Sequence, residues 1–414
     1  MSAAILKTDC CIAGGGPAGM MAGLLLARAG IDVIVLEKHA DFFRDFRGDT
    51  IHPSTFQLMH ELGMLDEFLK IPHQEVTQIG ARFNGKYLQL ADFSSLPVAK
   101  KAIGLMPQWD FLNFIAEKAK KYSCFRLFMN AEFIDLIREN GKIIGALAKT
   151  PEGEIEIQSR LVIGSDGRHS DVRQKAGLKI VTTGVPIDVL WFKLSKQSSD
   201  PLQSLGNFQS GKLLVMLDRR DYWQCGYVIA KGGLEKIKGN GLDKFRSEIA
   251  FVIPQFENRV HELDDWEKIK LLSVAIDHLE TWSRDGLLCI GDAAHAMSPV
   301  GGVGINLAIQ DAVATANILY KPLREGMEMT SKLLSRIQKR REFPTQLTQK
   351  IQTDVQRAVI QPRPDKNNNQ KPPLLMRWLN KSRWLRRIPA RLIGIGIRPE
   401  HIHSPEIIAV KESN

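Results

Sequence analysis

Three consecutive glycines, Gly14-Gly15-Gly16, followed by Pro17-Ala18-Gly19, constrain this chain more than any other feature. An apolar tetrad, Cys10-Cys11-Ile12-Ala13, precedes them and reads as a short buried strand. A helix-like apolar stretch, Met20 to Ala29, follows, and then a second strand, Asp32-Val33-Ile34-Val35-Leu36, ending at Glu37. Gly-x-Gly-x-x-Gly between a strand and a helix has a mechanical reading. Gly14 permits the tight turn, Gly16 lets backbone approach a pyrophosphate, and Gly19 lets the helix pack close to the strand. The helix N-terminus then offers its N–H groups to the phosphates. Glu37 lies 18 residues beyond Gly19, where a carboxylate can accept hydrogen bonds from ribose hydroxyls. A carboxylate there also disfavours a 2′-phosphate, so FAD or NAD is expected ahead of NADP.

The chain has 414 residues, 44% apolar and 25% charged, enough for two or three structural regions around a buried core. Met20–Ala29 could pass for a signal peptide, but Asp9 precedes it and no cleavage site follows. No run long and uncharged enough to span a bilayer is found. The five cysteines are odd in number and show neither Cys-x-x-Cys nor metal spacing, so buried thiols in a reducing cytoplasm are expected, with no metal. Net charge is +10, with a local excess: Lys371 to Arg398 holds eight basic residues and no acid, interleaved with Trp378, Trp384, Leu and Ile. That mixture suits an acidic lipid surface better than a nucleic-acid groove, so no nucleic acid is expected; 374–398 reads either as a basic helix packed on the cofactor domain or as a peripheral membrane or partner contact.

Two distant segments decide the cofactor. Leu161-Val162-Ile163-Gly164-Ser165-Asp166-Gly167-Arg168-His169-Ser170-Asp171-Val172-Arg173 is a buried strand running into a polar turn. Leu287-Leu288-Cys289-Ile290-Gly291-Asp292-Ala293-Ala294-His295 is another strand ending in an acid, continuing through Pro299-Val300-Gly301-Gly302-Val303-Gly304-Ile305-Asn306 into a helix with Asp311. With these three motifs in this order, the chain resembles the class A flavoprotein monooxygenases, the para-hydroxybenzoate hydroxylase-like group that includes ubiquinone-pathway hydroxylases. The resemblance spans about residues 5 to 345.

That resemblance implies an α/β fold: a Rossmann-like FAD-binding domain with an inserted β-rich substrate domain, followed by a C-terminal helical segment. The expected division is 1–75, 104–180 and 276–345 for FAD, 76–103 and 181–275 for substrate, and 346–414 for the C-terminal segment. The resemblance places Asp292 on the ribityl chain and Pro299 near the reactive edge of the flavin. Gly302 and Gly304, with Asn306 just beyond, lie in the loop at the pyrimidine end. Asp166 matches a fingerprint tied to both FAD and nicotinamide, and Arg47 and Gln108 match ribityl and phosphate contacts. His52 and His295 are read as structural ahead of catalytic. Tyr222 and Trp223 are candidate substrate contacts, although packing serves either ring as well. The implied reaction uses NADH or NADPH as a transient donor and O2 as oxidant to hydroxylate a small aromatic or quinone-precursor-like substrate, with no side-chain nucleophile. A reductase of the geranylgeranyl-reductase type and a non-catalytic flavin-binding protein stay open. Halogenases of this fold carry Trp-x-Trp-x-Ile-Pro, and from Trp223 that pattern meets Cys225, Tyr227 and Val228 instead. Oligomeric state is not legible.

Overall fold

The computed structural model describes residues 4–43, 50–200, 205–219, 221–360 and 372–407. Ala4–Ala13 is the central strand of the first sheet, running parallel to Val33–Leu36 on one side and to Gly153–Gly164 on the other. Its first half is solvated and Cys10 to Ala13 are wholly buried, as a parallel strand covered on both faces must be. Leu287–Cys289 and Phe125–Phe128 extend the parallel set outward, and the hairpin Glu132–Glu139 with Lys142–Thr150 adds antiparallel pairing.

Register decides where a ligand can sit. Ala13 is level with Leu36 and with Gly164, and Gly164 is level with Cys289. Four strands therefore end along one line, and the loops beginning at Gly14, Glu37, Ser165 and Ile290 leave from one sheet edge. In open α/β sheets that carboxyl edge is the ligand edge.

The first helix is Pro17–Arg28, with proline in its opening turn, where a missing N–H costs nothing. Ala18 through Ala27 are all buried, because the sheet, Gln108–Lys120 and the long helix Gly304–Arg324 surround it. Gly23 permits this approach: a Cβ there would stand 2.9 Å from Val35 and 3.0 Å from Phe125.

A second, mostly antiparallel sheet runs Lys270–Leu272, Ile187–Ser195, Tyr222–Ala230, Lys212–Asp218, Leu205–Gln209, Gln78–Phe83, Lys86–Asp92. The two strands from the earlier part of the chain join through a parallel pairing of Gly206 with Ala81. One face of this sheet is covered by Leu242–Val252 and the 3-10 turn Pro254–Glu262, with Phe192, Trp223, Tyr227, Phe245 and Phe256 between. The sequence reading of 182–275 as β-rich omitted this helix. Its signal is Phe245, Ile249 and Val252 at helical spacing, the three residues it buries.

Beyond the motifs, Ser331–Ile360 is one helix that runs through residues 345 and 346. Leu374–Lys381 and Arg387–Gly394 then pack on the outer strand Lys86–Asp92. The chain returns over the first sheet's helices: Arg28 donates to the Ser404 carbonyl at 2.7 Å, and the Tyr122 hydroxyl meets Glu406 at 2.8 Å. All five cysteines are unpaired. Among the described residues, no helix is long and apolar enough to cross a membrane.

Candidate functional site

The glycine loop is locked from behind and open in front. Gly14 has φ +111°, and a Cβ there would lie 2.5 Å from the Ser165 carbonyl oxygen. Gly19 is tighter still: its Cβ would fall 2.0 Å from the Gly14 oxygen and 2.5 Å from Ser165 Oγ. Ser165 Oγ donates at 3.1 Å to the Ala13 carbonyl and lies 2.9 Å from the Gly14 carbonyl. The first and second motifs are thus one packed unit. Among the described residues nothing beyond its chain neighbours lies within 4 Å of where a Gly16 Cβ would be, and Gly16 starts the first helix with no side-chain cap. A positive helix end with room before it fits a pyrophosphate. Glu37 is buried beneath the loop, its carboxylate accepting from Gly15 N and His39 N at 3.1 Å each.

The second half of the site is the loop entering Gly304–Arg324. Gly301 and Gly302 have φ of +78° and +62°, and a Cβ on Gly302 would strike Thr50 Oγ1 at 2.2 Å. The Thr50 hydroxyl donates to the Gly302 carbonyl at 2.8 Å. Asn306 ties the same elements: its amide donates to the Thr50 carbonyl at 3.1 Å, while its oxygen accepts from His52 N at 2.9 Å and Thr55 Oγ1 at 2.7 Å. The helix opens at Gly304 without a side-chain cap, so its positive end can face a ligand that carries negative charge. Gln108 is buried at the start of its own helix, just after Ile103–Leu105, the strand paired with Thr50–Ile51. Pro299 precedes the 3-10 turn Val300–Gly302. Arg47 lies outside the described residues.

Sequence reasoning missed what holds this loop. Gln352 accepts from Ser298 N at 3.2 Å and donates to the carbonyls of Ser298 and Val300 at 3.0 and 2.7 Å. Gln349 donates to the carbonyls of Asp277 and Ala296 at 2.9 Å each, and Gln356 reaches Ser298 Oγ. Glutamines at i, i+3 and i+7 along Ser331–Ile360 are the signal, a polar stripe where a solvated face would carry charges.

Asp166 accepts from Val172 N at 3.1 Å, while its second oxygen is buried without a partner among the described residues. Burial lifts its carboxyl above the ordinary range against the bonds from Ser170 and Val172. Asp292 is half-buried and takes a 3.1 Å bond from Arg168 Nε, and Arg168 also donates to the Met297 carbonyl at 3.2 Å. Arg168 therefore clips the second motif to the third, a role the sequence reading did not assign.

Beneath Asp292 lies a buried charge cluster. Asp311 accepts from Gly291 N at 3.1 Å, pairs with His295 Nε2 at 2.5 Å and with Arg341 Nε at 3.0 Å. Burial would raise its carboxyl, but His295 and Arg341 outweigh that and hold it below the ordinary range. Arg341 also pairs with Glu400 at 3.3 Å. His295 is thus a structural partner of Asp311. His52 is buried too; its Nδ1 lies 2.7 Å from the Ile393 carbonyl, and burial pushes its pKa down to about 4 despite that bond.

The two faces of the second sheet separate the aromatic candidates. Trp223 is fully buried toward Phe256 and the helical layer, its indole N–H donating to Asp200 at 2.8 Å, so it is core. Strand alternation puts Tyr222, Gln224 and Gly226 on the other face. Trp191, opposite Gly226 in register, belongs there too, and its indole nitrogen is buried without a partner among the described residues. A lone tryptophan in an alternating strand gave the sequence reading nothing to single it out. Among the described residues, no group of His, Cys, Asp or Glu could hold a metal ion.

Residues 7–351 match the family described as FAD binding domain. The chain is 29% identical over 357 residues to 6-methylpretetramide 4-monooxygenase of Streptomyces rimosus, covering 85% of this chain and 84% of that protein. It is 21% identical over 345 residues to a 1H-pyrrole-2-carbonyl-[peptidyl-carrier protein] brominase of Pseudoalteromonas luteoviolacea, covering 76% and 78%. The crystal structure of p-nitrophenol 4-monooxygenase PnpA from Pseudomonas putida DLL-E4 superposes with a TM-score of 0.77 at 19% identity, covering 95% of this chain and all (100%) of that one.

Proposed function

Because the chain belongs to the FAD binding domain family, we propose that it is an FAD-dependent monooxygenase hydroxylating a small aromatic or quinone-precursor-like molecule. NADH or NADPH would supply two electrons; one atom of O2 would enter the substrate and the other leave as water. The bound flavin provides that oxygen activation. The observation carrying the reading is the shared sheet edge, where Gly14, Glu37, Asp166 and Asp292 arrive together from four parallel strands.

The residues would divide the work by chemistry. Gly14, Gly16 and Gly19 with the first helix end would hold the pyrophosphate, and Glu37 the adenosine ribose. Asp292, kept in place by Arg168, would take a ribityl hydroxyl; Gln108 and Arg47, which match the family's ribityl and phosphate contacts, would serve those parts of the cofactor. Pro299, Gly302, Gly304 and Asn306 would form the wall at the ring, and the helix beginning at Gly304 would favour negative charge on it. Asp166 would line the nicotinamide approach. The substrate would be covered by the face of the second sheet bearing Trp191 and Tyr222, which excludes water from the reacting atoms. We assign residues 1–75, 104–180 and 276–345 to the cofactor unit, 76–103 and 181–275 to the substrate unit, and the rest to a C-terminal segment. Five unpaired cysteines suit a reducing cytoplasm.

The test is NAD(P)H oxidation followed alongside O2 uptake, hydrogen peroxide and product mass, over phenols, quinone precursors and polyketide-like aromatics. A substrate that stimulates oxidation and gains one oxygen supports the reading. Reduction of a substrate without O2 uptake would overturn it, as would halogenated product in buffer containing bromide.

A further inference from the structure

The helices Leu374–Lys381 and Arg387–Gly394 hold their apolar sides outward. On the first, Leu374, Leu375 and Trp378 are 68%, 68% and 65% exposed and share one face at i, i+1 and i+4. Trp384, 76% exposed, then Ile388 and Leu392 continue at four-residue spacing along the second. Two indoles and four aliphatic side chains in contact with water, within so short a stretch, mark an interaction surface.

These helices cannot roll over to hide that face, because their other sides are already committed. Asn380 Oδ1 accepts from Gln89 N at 2.9 Å, covering the edge strand Lys86–Asp92. Ala390 and Ile395 are buried with Phe93 and Leu96, and a Cβ on Gly394 would come within 2.8 Å of Leu96 and 3.1 Å of Pro53. With Ala390, Gly394 and Ile395 taking up the inward side, Leu374, Leu375, Trp378, Trp384, Ile388 and Leu392 are left in water.

We propose that this pair of helices is a docking platform for an anionic lipid bilayer. Arg377, Lys381, Arg383, Arg387 and Arg391 are exposed beside the apolar face, and no acid occurs between Lys371 and Arg398. Basic side chains flanking exposed Trp, Leu and Ile match a surface with anionic headgroups above an apolar interior. Tryptophan sits at that boundary, its ring apolar and its N–H wet. The Arg387 guanidinium lies 5.3 Å from the Trp384 ring, so one cation and one indole present together. A second copy of the chain would set this cationic face against itself, and a nucleic acid would leave the six apolar side chains in water.

The experiment is co-sedimentation of the full chain with vesicles of equimolar phosphatidylglycerol and phosphatidylcholine, against pure phosphatidylcholine. Two triple variants accompany it: Trp378→Ser with Trp384→Ser and Ile388→Ser, and Arg383→Gln with Arg387→Gln and Arg391→Gln. All six side chains are exposed, so FAD content and the urea midpoint should stay at the parent values and certify the fold. The parent should pellet with anionic vesicles only, and half-molar salt or either variant should lower partitioning at least about tenfold. No binding to anionic vesicles, or undiminished binding by both variants, would overturn the proposal. So would a parent that ignores vesicles but self-associates or binds single-stranded RNA through these residues. The readout needs no turnover, so failure of the hydroxylase reading leaves it untouched.

Discussion

Gly14 and Gly16 look alike in the sequence and are constrained by different things. The backbone of this chain forbids a side chain at Gly14, through its positive φ and the Ser165 oxygen 2.5 Å from the Cβ position. At Gly16 the described residues forbid nothing, since apart from its chain neighbours none lies within 4 Å of the Cβ position and φ is −74°; in the proposed site it is the pyrophosphate that would exclude a side chain there. Gly14→Ala should therefore cost about 3 kcal/mol or more of stability even without cofactor. Gly16→Ala should leave the cofactor-free protein within about 0.5 kcal/mol of the parent and weaken FAD binding about a hundredfold, close to 2.7 kcal/mol. Urea unfolding of flavin-stripped protein and a flavin fluorescence titration separate the two. Equal effects at both positions would mean the loop does not lie against a pyrophosphate. The glycine spacing was legible because it is a local rule. Arg168 and Arg341 were not, because an arginine's meaning depends on which distant acid the fold delivers to it, here Asp292 and Asp311.

Among the elements, the parallel strands could be read from their unbroken apolar runs, and the glycines placed the turns after them. Ser331–Ile360 hid its purpose. It is mostly polar, with Pro344 inside, and polar helices usually mean a solvated face. In the fold its glutamines replace a strand partner, satisfying the backbone of residues 296–300 just before the glycine-rich loop. Gln352→Ala would remove three hydrogen bonds from a buried site and leave their partners unsatisfied, a loss of about 2 kcal/mol in stability. Because the loop it holds is assigned to the flavin ring, FAD affinity should also fall, by about tenfold or 1.4 kcal/mol. A lowered urea midpoint with unchanged flavin affinity would place the loop away from the ring.

At the scale of the molecule, residues 346–414 read from sequence as a C-terminal segment following the cofactor domain, and the described residues from 372 to 407 make contacts back to that domain's elements. Glu400 completes the pairing of Arg341, which holds Asp311, which receives the Gly291 N–H beside Asp292. The Ile393 carbonyl takes His52, whose backbone N–H bonds Asn306 and so the loop at Gly302. Such closures carry no sequence signature, since their partners lie 20 to 341 positions apart and only the fold brings them together. Arg341 and Asp311 are buried, and a buried ion pair stripped of one partner costs about 3–5 kcal/mol. Glu400→Gln removes charge from the cluster while keeping the side chain's shape. It should lower the urea midpoint by an amount equivalent to about 2–3 kcal/mol and release bound FAD more readily, with the exposed platform helices untouched. A chain ended after Gln370 should fare worse, losing Ala390, Ile395 and Glu400 from the sites they fill at once. If both retain the parent's midpoint and flavin content, the tail is an addition to the cofactor unit rather than one of its walls.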